Sequence, residues 1–411
     1  MSNIVKIKKI VRILSVTSIQ QLFIGLACMK KTEEKNNIYH DYLIINNTML
    51  LNETVESIKD ASSIHNIYNV IDFRQDLESF NLSISNNNVS ERGWIYNKFI
   101  KLIATVLMGR NINELINKLQ KYIIDARADE IYVRYKIGFP EKVLLNAFPR
   151  AEIHLFEDGL GDYLPKINKI VSKHRGLINK ITSIQSRVIK LIGNSVTKNF
   201  NSLKSFNERV VGIYELISNS NSHRKKELQN KVQCKFINIV SGYIEVLKQA
   251  KVSSYNNDLK GSFVLVLPSV FSAAKLWYKG KNHIGIDVDI SYTADIIRAF
   301  RKLYPDERII IKTHPRTPAW LIEAFVKNFE DNSCHVVCYS NLPAEVFFLD
   351  EKFVAVFGGF SSSLMYAKNI FNKTAYFTSP PDGITGIYPS EFIPIVKDTF
   401  YRLGIKELKI K

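Results

Sequence analysis

Cysteine is scarce: four in 411 residues, Cys28, Cys234, Cys334 and Cys338. They form no C-x-x-C pair, which argues against a structural zinc site, and no disulfide framework emerges. Few cysteines without a framework fit a reducing cytoplasm. His335 and Cys338 read as part of a strand, His335-Val336-Val337-Cys338-Tyr339, rather than as ligands. Long apolar runs are also missing. A membrane helix needs about 20 nearly unbroken apolar residues, and no segment supplies them. Ile13 to Met29, preceded by Lys6, Lys8, Lys9 and Arg12, imitates a signal peptide, but Ser15, Thr17, Ser18, Gln20 and Gln21 interrupt it. The better reading is a strand over Ile10–Leu14, a polar turn and a helix over Ile19–Met29. There is no short internal repeat, no low-complexity tract and no basic–aromatic motif of the nucleic-acid-binding kinds, so no nucleic-acid partner is expected. An Asp-x-Asp pair at a strand end is absent as well. Asp287-Val288-Asp289 has the spelling but precedes a helix near Tyr292 and reads as a loop. The chemistry is therefore expected to be metal-free.

Acidic residues are the minority. There are 39 Asp and Glu against 56 Lys and Arg, a formal net charge of +17. Much of the excess sits between Lys166 and Lys235, where 15 basic residues face only Glu208, Glu215 and Glu227. That stretch reads either as a solvated helical connector or as a docking face for a polyanion or anionic lipid.

With 46% hydrophobic residues, the chain can build a core in each of two domains of roughly 100–200 residues. Apolar runs of strand character alternate with helical periodicity over residues 1–165. The strands are Tyr42–Ile45, Val70–Phe73, Glu130–Tyr135 and Ile153–Phe156; the helices are Trp94–Leu107, Ile112–Ile124 and Glu141–Phe148. Residues 166–260 break the rhythm and read as a basic, mainly helical connector. Alternation resumes over 261–411, with strands Phe263–Leu267, Arg308–Thr313, His335–Tyr339, Phe353–Phe357 and Thr374–Phe377. Such alternation predicts two α/β domains with parallel, doubly covered sheets and a cleft between them.

Three polar motifs close strands, where open parallel sheets bind ligands. The first is Phe156-Glu157-Asp158-Gly159-Leu160-Gly161-Asp162-Tyr163. Adjacent carboxylates raise one another's pKa and suit a general base, while Gly159 and Gly161 permit a tight turn. A solvated acidic turn is the plain alternative. The second is Lys312-Thr313-His314-Pro315-Arg316. His314 can donate to a phosphate oxygen or protonate a leaving phosphate, with Lys312 and Arg316 adding charge. The third is Gly358-Gly359-Phe360-Ser361-Ser362-Ser363-Leu364. It opens a helix whose free N–H groups bind phosphate, although serine is also an ordinary N-cap. Glu345, opening a helix after Pro343, can accept from ribose hydroxyls or simply complement the helix dipole. Together these parts describe an inverting displacement, with a base on one side and a phosphate-stabilised leaving group on the other.

Glu157-Asp158-Gly159, His314-Pro315 and Ser361–Ser363 resemble the acidic-acidic-Gly, His-Pro and Ser-Ser motifs of bacterial CMP-sialic acid-dependent sialyltransferases. FEDGLGDY, IIIKTHPR and FSSSLMYA look most like the capsular alpha-2,8-polysialyltransferase family, with lipooligosaccharide sialyltransferases next. The resemblance spans Ile153 to Tyr376 in order and spacing. It implies a GT-B-type fold of two Rossmann-like domains, with no cofactor and CMP-sialic acid as donor. The acceptor would be a hydroxyl of capsular polysialic acid or of lipooligosaccharide. By position, Asp158 would be the base, supported by Glu157. His314 would contact the CMP phosphate and serve as acid. Ser362 and Ser363 would hold the phosphate and Glu345 the ribose, with Pro315 and Gly359 also in the nucleotide site. A cytoplasmic enzyme peripheral on the inner membrane, touching a capsule assembly complex, is implied, with the basic segment following the anionic glycan or the anionic leaflet. Two rivals remain: a transferase for another activated group, such as CDP-glycerol, and a non-catalytic polyanion-binding capsule-assembly protein.

Overall fold

The computed structural model describes residues 7–46, 52–67, 69–85, 112–135, 137–157, 159–164, 202–218, 232, 234, 236–254, 261–269, 271–272, 285–314, 317–331, 333–337, 342–380 and 392–409. Asp158, Pro315, Arg316, the expected helix Trp94–Leu107 and most of the basic segment lie outside them.

Two parallel sheets form. The first has the order β3-β2-β1-β4-β5-β6-β7: β1 (Lys8–Val16), β2 (Asn37–Ile45), β3 (Asn69–Asp72), β4 (Glu130–Arg134), β5 (Glu152–Phe156), β6 (Val210–Glu215) and β7 (Phe236–Asn238). The second has the order β10-β9-β8-β11-β12-β13: β8 (Phe263–Leu267), β9 (Arg308–Lys312), β10 (Cys334–Val337), β11 (Phe353–Gly358), β12 (Thr374–Phe377) and β13 (Lys406–Glu407). Strands buried on both faces must be apolar throughout. Ile10 to Val16 and Phe263 to Val266 are accordingly buried without a break. Arg12 interrupts the first run at little cost. Its guanidinium donates to both carboxylate oxygens of Asp41, at 2.7 and 2.6 Å, and to the Met29 carbonyl at 2.9 Å, satisfying a buried charge that would otherwise be prohibitive.

Both sheets are Rossmann-like. Strand order reverses between β1 and β4 in the first and between β8 and β11 in the second. At such a switch point the connections diverge and leave a crevice outside the carboxyl ends. β5, carrying Glu157, neighbours β4; β9, carrying His314, neighbours β8. The three polar motifs therefore end on or beside the two switch points.

One difference from the sequence reading concerns the connector. Val210–Glu215 and Phe236–Asn238, taken there as part of a mainly helical segment, pair in parallel with β5 and with each other. Helical spacing of apolar residues elsewhere in the segment masked these short runs. A second concerns Asp287–Asp289, expected in a loop. They stand in the first turn of the helix Ile286–Arg301, where aspartate complements the dipole.

A single hydrophobic cluster joins the two sheets. It runs from Leu14, Phe23 and Ala27, through Tyr243, Val246 and Leu247 of the helix Val240–Ser254, to Phe263, Val346, Val356 and Tyr366. Gly242 lies against the first helix (Ile19–Thr32): a Cβ there would be 3.4 Å from the Ala27 carbonyl oxygen. Shared burial thus holds the switch points face to face. Among the described residues, no helix is long and apolar enough to cross a membrane.

Candidate active site

Glu157 leaves β5 into the interface rather than into solvent. It is 1% exposed. Its Oε2 accepts from the Tyr163 hydroxyl at 2.5 Å and from the Leu216 N–H at 2.9 Å; its Oε1 accepts from the Tyr366 hydroxyl at 2.8 Å. Tyr366 belongs to the helix Ser362–Asn369 of the second sheet, so this carboxylate fastens one domain to the other. Burial pushes its carboxyl up to about 7, against the three hydrogen bonds, and nearby Asp162 adds to the rise. Desolvation, rather than a neighbouring charge, is the main cause of this rise.

This has a pH consequence. The folded carboxyl keeps its proton up to about 7, whereas the ordinary glutamate value is 4.5. Between those values the folded state binds the proton more tightly. The stability it contributes is full below 4.5 and is lost as pH rises through about 7, an upper bound of roughly 3 kcal/mol. Glu157→Gln copies the protonated shape and removes that slope. In thermal melts from pH 5 to 8, the variant's Tm should rise relative to wild type. Parallel curves would contradict the assignment.

Gly159 turns the chain at φ +90°, a conformation that side chains resist. Space is tight as well: a Cβ would lie 3.2 Å from both Cβ and Oγ of Ser362 and 3.6 Å from Gln20 Oε1. The acidic turn and the serine helix are therefore in contact.

The serine cluster divides its duties. Ser361 is the N-cap, accepting from the Ser363 N–H at 3.2 Å, so the plain capping role belongs to one serine only. The Ser362 hydroxyl donates to Gln20 Oε1 at 3.2 Å. The Ser363 side chain hydrogen-bonds the Glu345 carboxylate. Glu345 is 1% exposed and also accepts from Gln20 Nε2 at 3.4 Å. Burial raises its pKa, while Ser363 and the charge of Lys312 oppose the rise. Gly359 lies close to Ser269, just after β8: a Cβ there would fall 2.5 Å from the Ser269 Oγ, which would have to turn aside.

His314 follows β9 and is exposed. Its carbonyl accepts from the Thr317 N–H at 2.8 Å, bending the chain back into the helix Ala319–Phe329. Lys312, expected to flank it with free charge, is buried: its Nζ donates to the Thr313 carbonyl at 3.0 Å and its charge acts on Glu345. Asp289 is occupied elsewhere, accepting from the N–H groups of Phe271 at 2.6 Å and Ser272 at 2.9 Å and from the Ser272 hydroxyl. A separate cavity of about 660 Å³ lies at the opposite, amino end of the first sheet, lined by Lys8, Arg127, Asp129 and Glu130 among others. Arg127 and Asp129 there neutralise each other.

The structure thus gathers Glu157, Gly159, Glu345, Ser362 and Ser363, sets Gly359 beneath them and places His314 two strands from β11. Gln20, Tyr366 and Ser269 join them without having been singled out from sequence. Tyr366 had one available signal, its i+4 spacing from Ser362 on one helical face.

The family profile described as alpha-2,8-polysialyltransferase matches residues 12–378. The chain belongs to the alpha-2,8-polysialyltransferase family. The match takes in both sheets up to the end of β12 and every motif above. The protein is accordingly a glycosyltransferase, a sialyltransferase by family, acting on a nucleotide-sugar donor and a glycan acceptor. Its two Rossmann-like domains are GT-B-type. No curated protein matches the chain. Solved structures with a similar fold include the GT-B domain of a sialyltransferase from Photobacterium damselae, at 12% identity over 97% of this chain and 98% of that one, TM-score 0.45. MnaA of S. aureus with UDP is 13% identical over 90% and 79%, TM-score 0.46. The E. coli heptosyltransferase WaaC with an ADP-2-deoxy-2-fluoro heptose is 9% identical over 91% and 90%, TM-score 0.40.

Proposed function

We propose that the protein moves sialic acid from CMP-sialic acid to a hydroxyl of an anionic surface glycan, capsular polysialic acid or lipooligosaccharide, with inversion and without a metal. The observation that carries this reading is the contact of the Gly159 turn with Ser362, 3.2 Å from a would-be Cβ. It brings an acidic motif from one switch point within a bond's reach of a phosphate-type helix start from the other.

Asp158 is the base. Its carboxylate takes the acceptor proton as that oxygen attacks the anomeric carbon, and the bond from that carbon to the CMP phosphate oxygen breaks on the opposite side. The electron pair leaves with the phosphate. Ser362, Ser363 and the free N–H groups of their helix receive the growing phosphate charge. His314 donates to the same phosphate. Glu345 takes the ribose hydroxyls. Gly359 lets the serine loop sit tightly on β8. Glu157, with both oxygens engaged, positions the turn rather than exchanging protons. Metal independence is supported by Asp289, whose carboxylate is consumed by the turn at residues 271–272.

The basic stretch from Lys166 to Lys235 is assigned to a polyanionic partner, glycan or inner membrane leaflet, with the enzyme cytoplasmic and peripheral. Reversing the charge at Arg224, Lys225 and Lys226 should weaken long-acceptor binding or membrane recovery; a variant unchanged in both contradicts the assignment. The function itself is tested by incubating the purified chain with labelled sialylated oligosaccharides and either CMP-sialic acid or CDP-glycerol. Elongation with the first donor alone is expected. Elongation with the second, or with neither, would overturn the reading.

A further inference from the structure

Two adjacent glutamines open the first helix, and they do different things. Gln21 turns back on its own domain: its Oε1 accepts from the Thr17 N–H at 2.7 Å and from the Thr17 hydroxyl at 3.0 Å. Gln20 crosses to the other domain. Its Oε1 accepts from the Ser362 hydroxyl at 3.2 Å, and its Nε2 donates to Glu345 at 3.4 Å. The carboxyl end of β1, from which Gln20 follows, is one side of the first switch point; Ser362 follows β11 at the second.

The partners fix the sense of the amide. A serine hydroxyl offers a proton, and a carboxylate wants one. Gln20 therefore presents an acceptor oxygen where a phosphate oxygen would sit and an N–H donor where a ribose hydroxyl would sit. We propose that Gln20 is a displaceable latch that occupies the nucleotide's place in the empty enzyme, reproducing its hydrogen bonds to Ser362 and Glu345. This rests on the assignment of those two residues to the donor.

Burial supports the exchange. Glu345 is 1% exposed, so a ribose cannot reach it until a covering group moves, and Gln20 is a group hydrogen-bonded to it from across the cleft. The amide oxygen also lies 3.6 Å from a would-be Cβ on Gly159. The latch is thus wedged between the acidic turn and the serine helix. Nucleotide affinity is lowered by the fraction of molecules in which the latch is shut, and a variant without it binds more tightly.

The test is calorimetric titration of the full chain with CMP. Gln20→Ala and the shorter Gln20→Asn, which cannot span both partners, should each tighten binding by about three- to tenfold, the worth of one net hydrogen bond. Unchanged or weaker binding in both variants overturns the latch. Ser362→Ala and Glu345→Gln are then introduced into the Gln20→Ala background, where no latch bond remains to compensate. There each should weaken CMP binding by about tenfold, and less so when Gln20 is intact. If neither weakens it in that background, the nucleotide assignment falls and the latch with it. If both do while the Gln20 variants fail to tighten, the latch alone falls.

Discussion

Asp158→Ala is expected to lower turnover with CMP-sialic acid by about 10²–10⁴-fold, the range for losing a general base, while CMP affinity stays within about twofold. The expectation comes from its neighbours. Glu157 cannot serve, since both its oxygens are committed to Tyr163, Leu216 and Tyr366 and the group is shut away from solvent. Gly159, on the other side, meets Ser362. Asp158 stands between a residue anchored in the interface and a residue touching the serine helix. Asp158→Asn should be as slow as Asp158→Ala, because an amide cannot accept the acceptor's proton as a base. Steady-state rates and CMP titration on the same preparations check this. A protein that merely binds polyanions would lose nothing in either variant.

His314→Ala is expected to cost about 10²–10³-fold in kcat, the loss seen when one donor to a developing anion is removed, with a smaller change in the KM for the donor. His314 is exposed at the carboxyl end of β9, and its own carbonyl bends the chain away into the next helix. His314 follows β9, the neighbour of β8, in the sheet whose switch point carries the serines. Two replacements separate its roles. His314→Asn retains an N–H donor but no titrating group. If the imidazole only stabilises charge, Asn recovers part of the rate; if it delivers a proton, Asn is as slow as Ala and the alkaline-side fall in rate disappears in both. Full activity in the Ala variant would remove His314 from the phosphate.

Apolar periodicity was enough to place the described strands other than β6, β7 and the two-residue β13, and to show that three polar motifs close strands. The reason is physical: a parallel strand covered on both faces must be an unbroken apolar run, and such a run is visible in a single sequence. β6 and β7 were not, because Val210–Glu215 and Phe236–Asn238 are short and sit amid basic, helically spaced residues. The site was legible where chemistry concentrates in a few contiguous residues, as in Glu157–Gly159 and Ser361–Ser363. It was illegible where partners lie far apart in the chain. Gln20 and Ser362 are separated by 342 positions, Glu157 and Tyr366 by 209. A polar residue at a helix start has no local mark of what it meets across a cleft. Glu157 shows the same limit differently: its acidic neighbour was visible, whereas the burial that chiefly raises its pKa exists only after the domains pack.

We propose that the acidic turn of one sheet and the serine helix of the other enclose a single nucleotide. A crystal structure of the protein with CMP tests it most directly. The phosphate is expected on Ser362 and Ser363, the ribose hydroxyls on Glu345, His314 beside the phosphate and the Gln20 amide swung away from both partners. CMP bound elsewhere, with Gln20 still bridging Ser362 and Glu345, would contradict it.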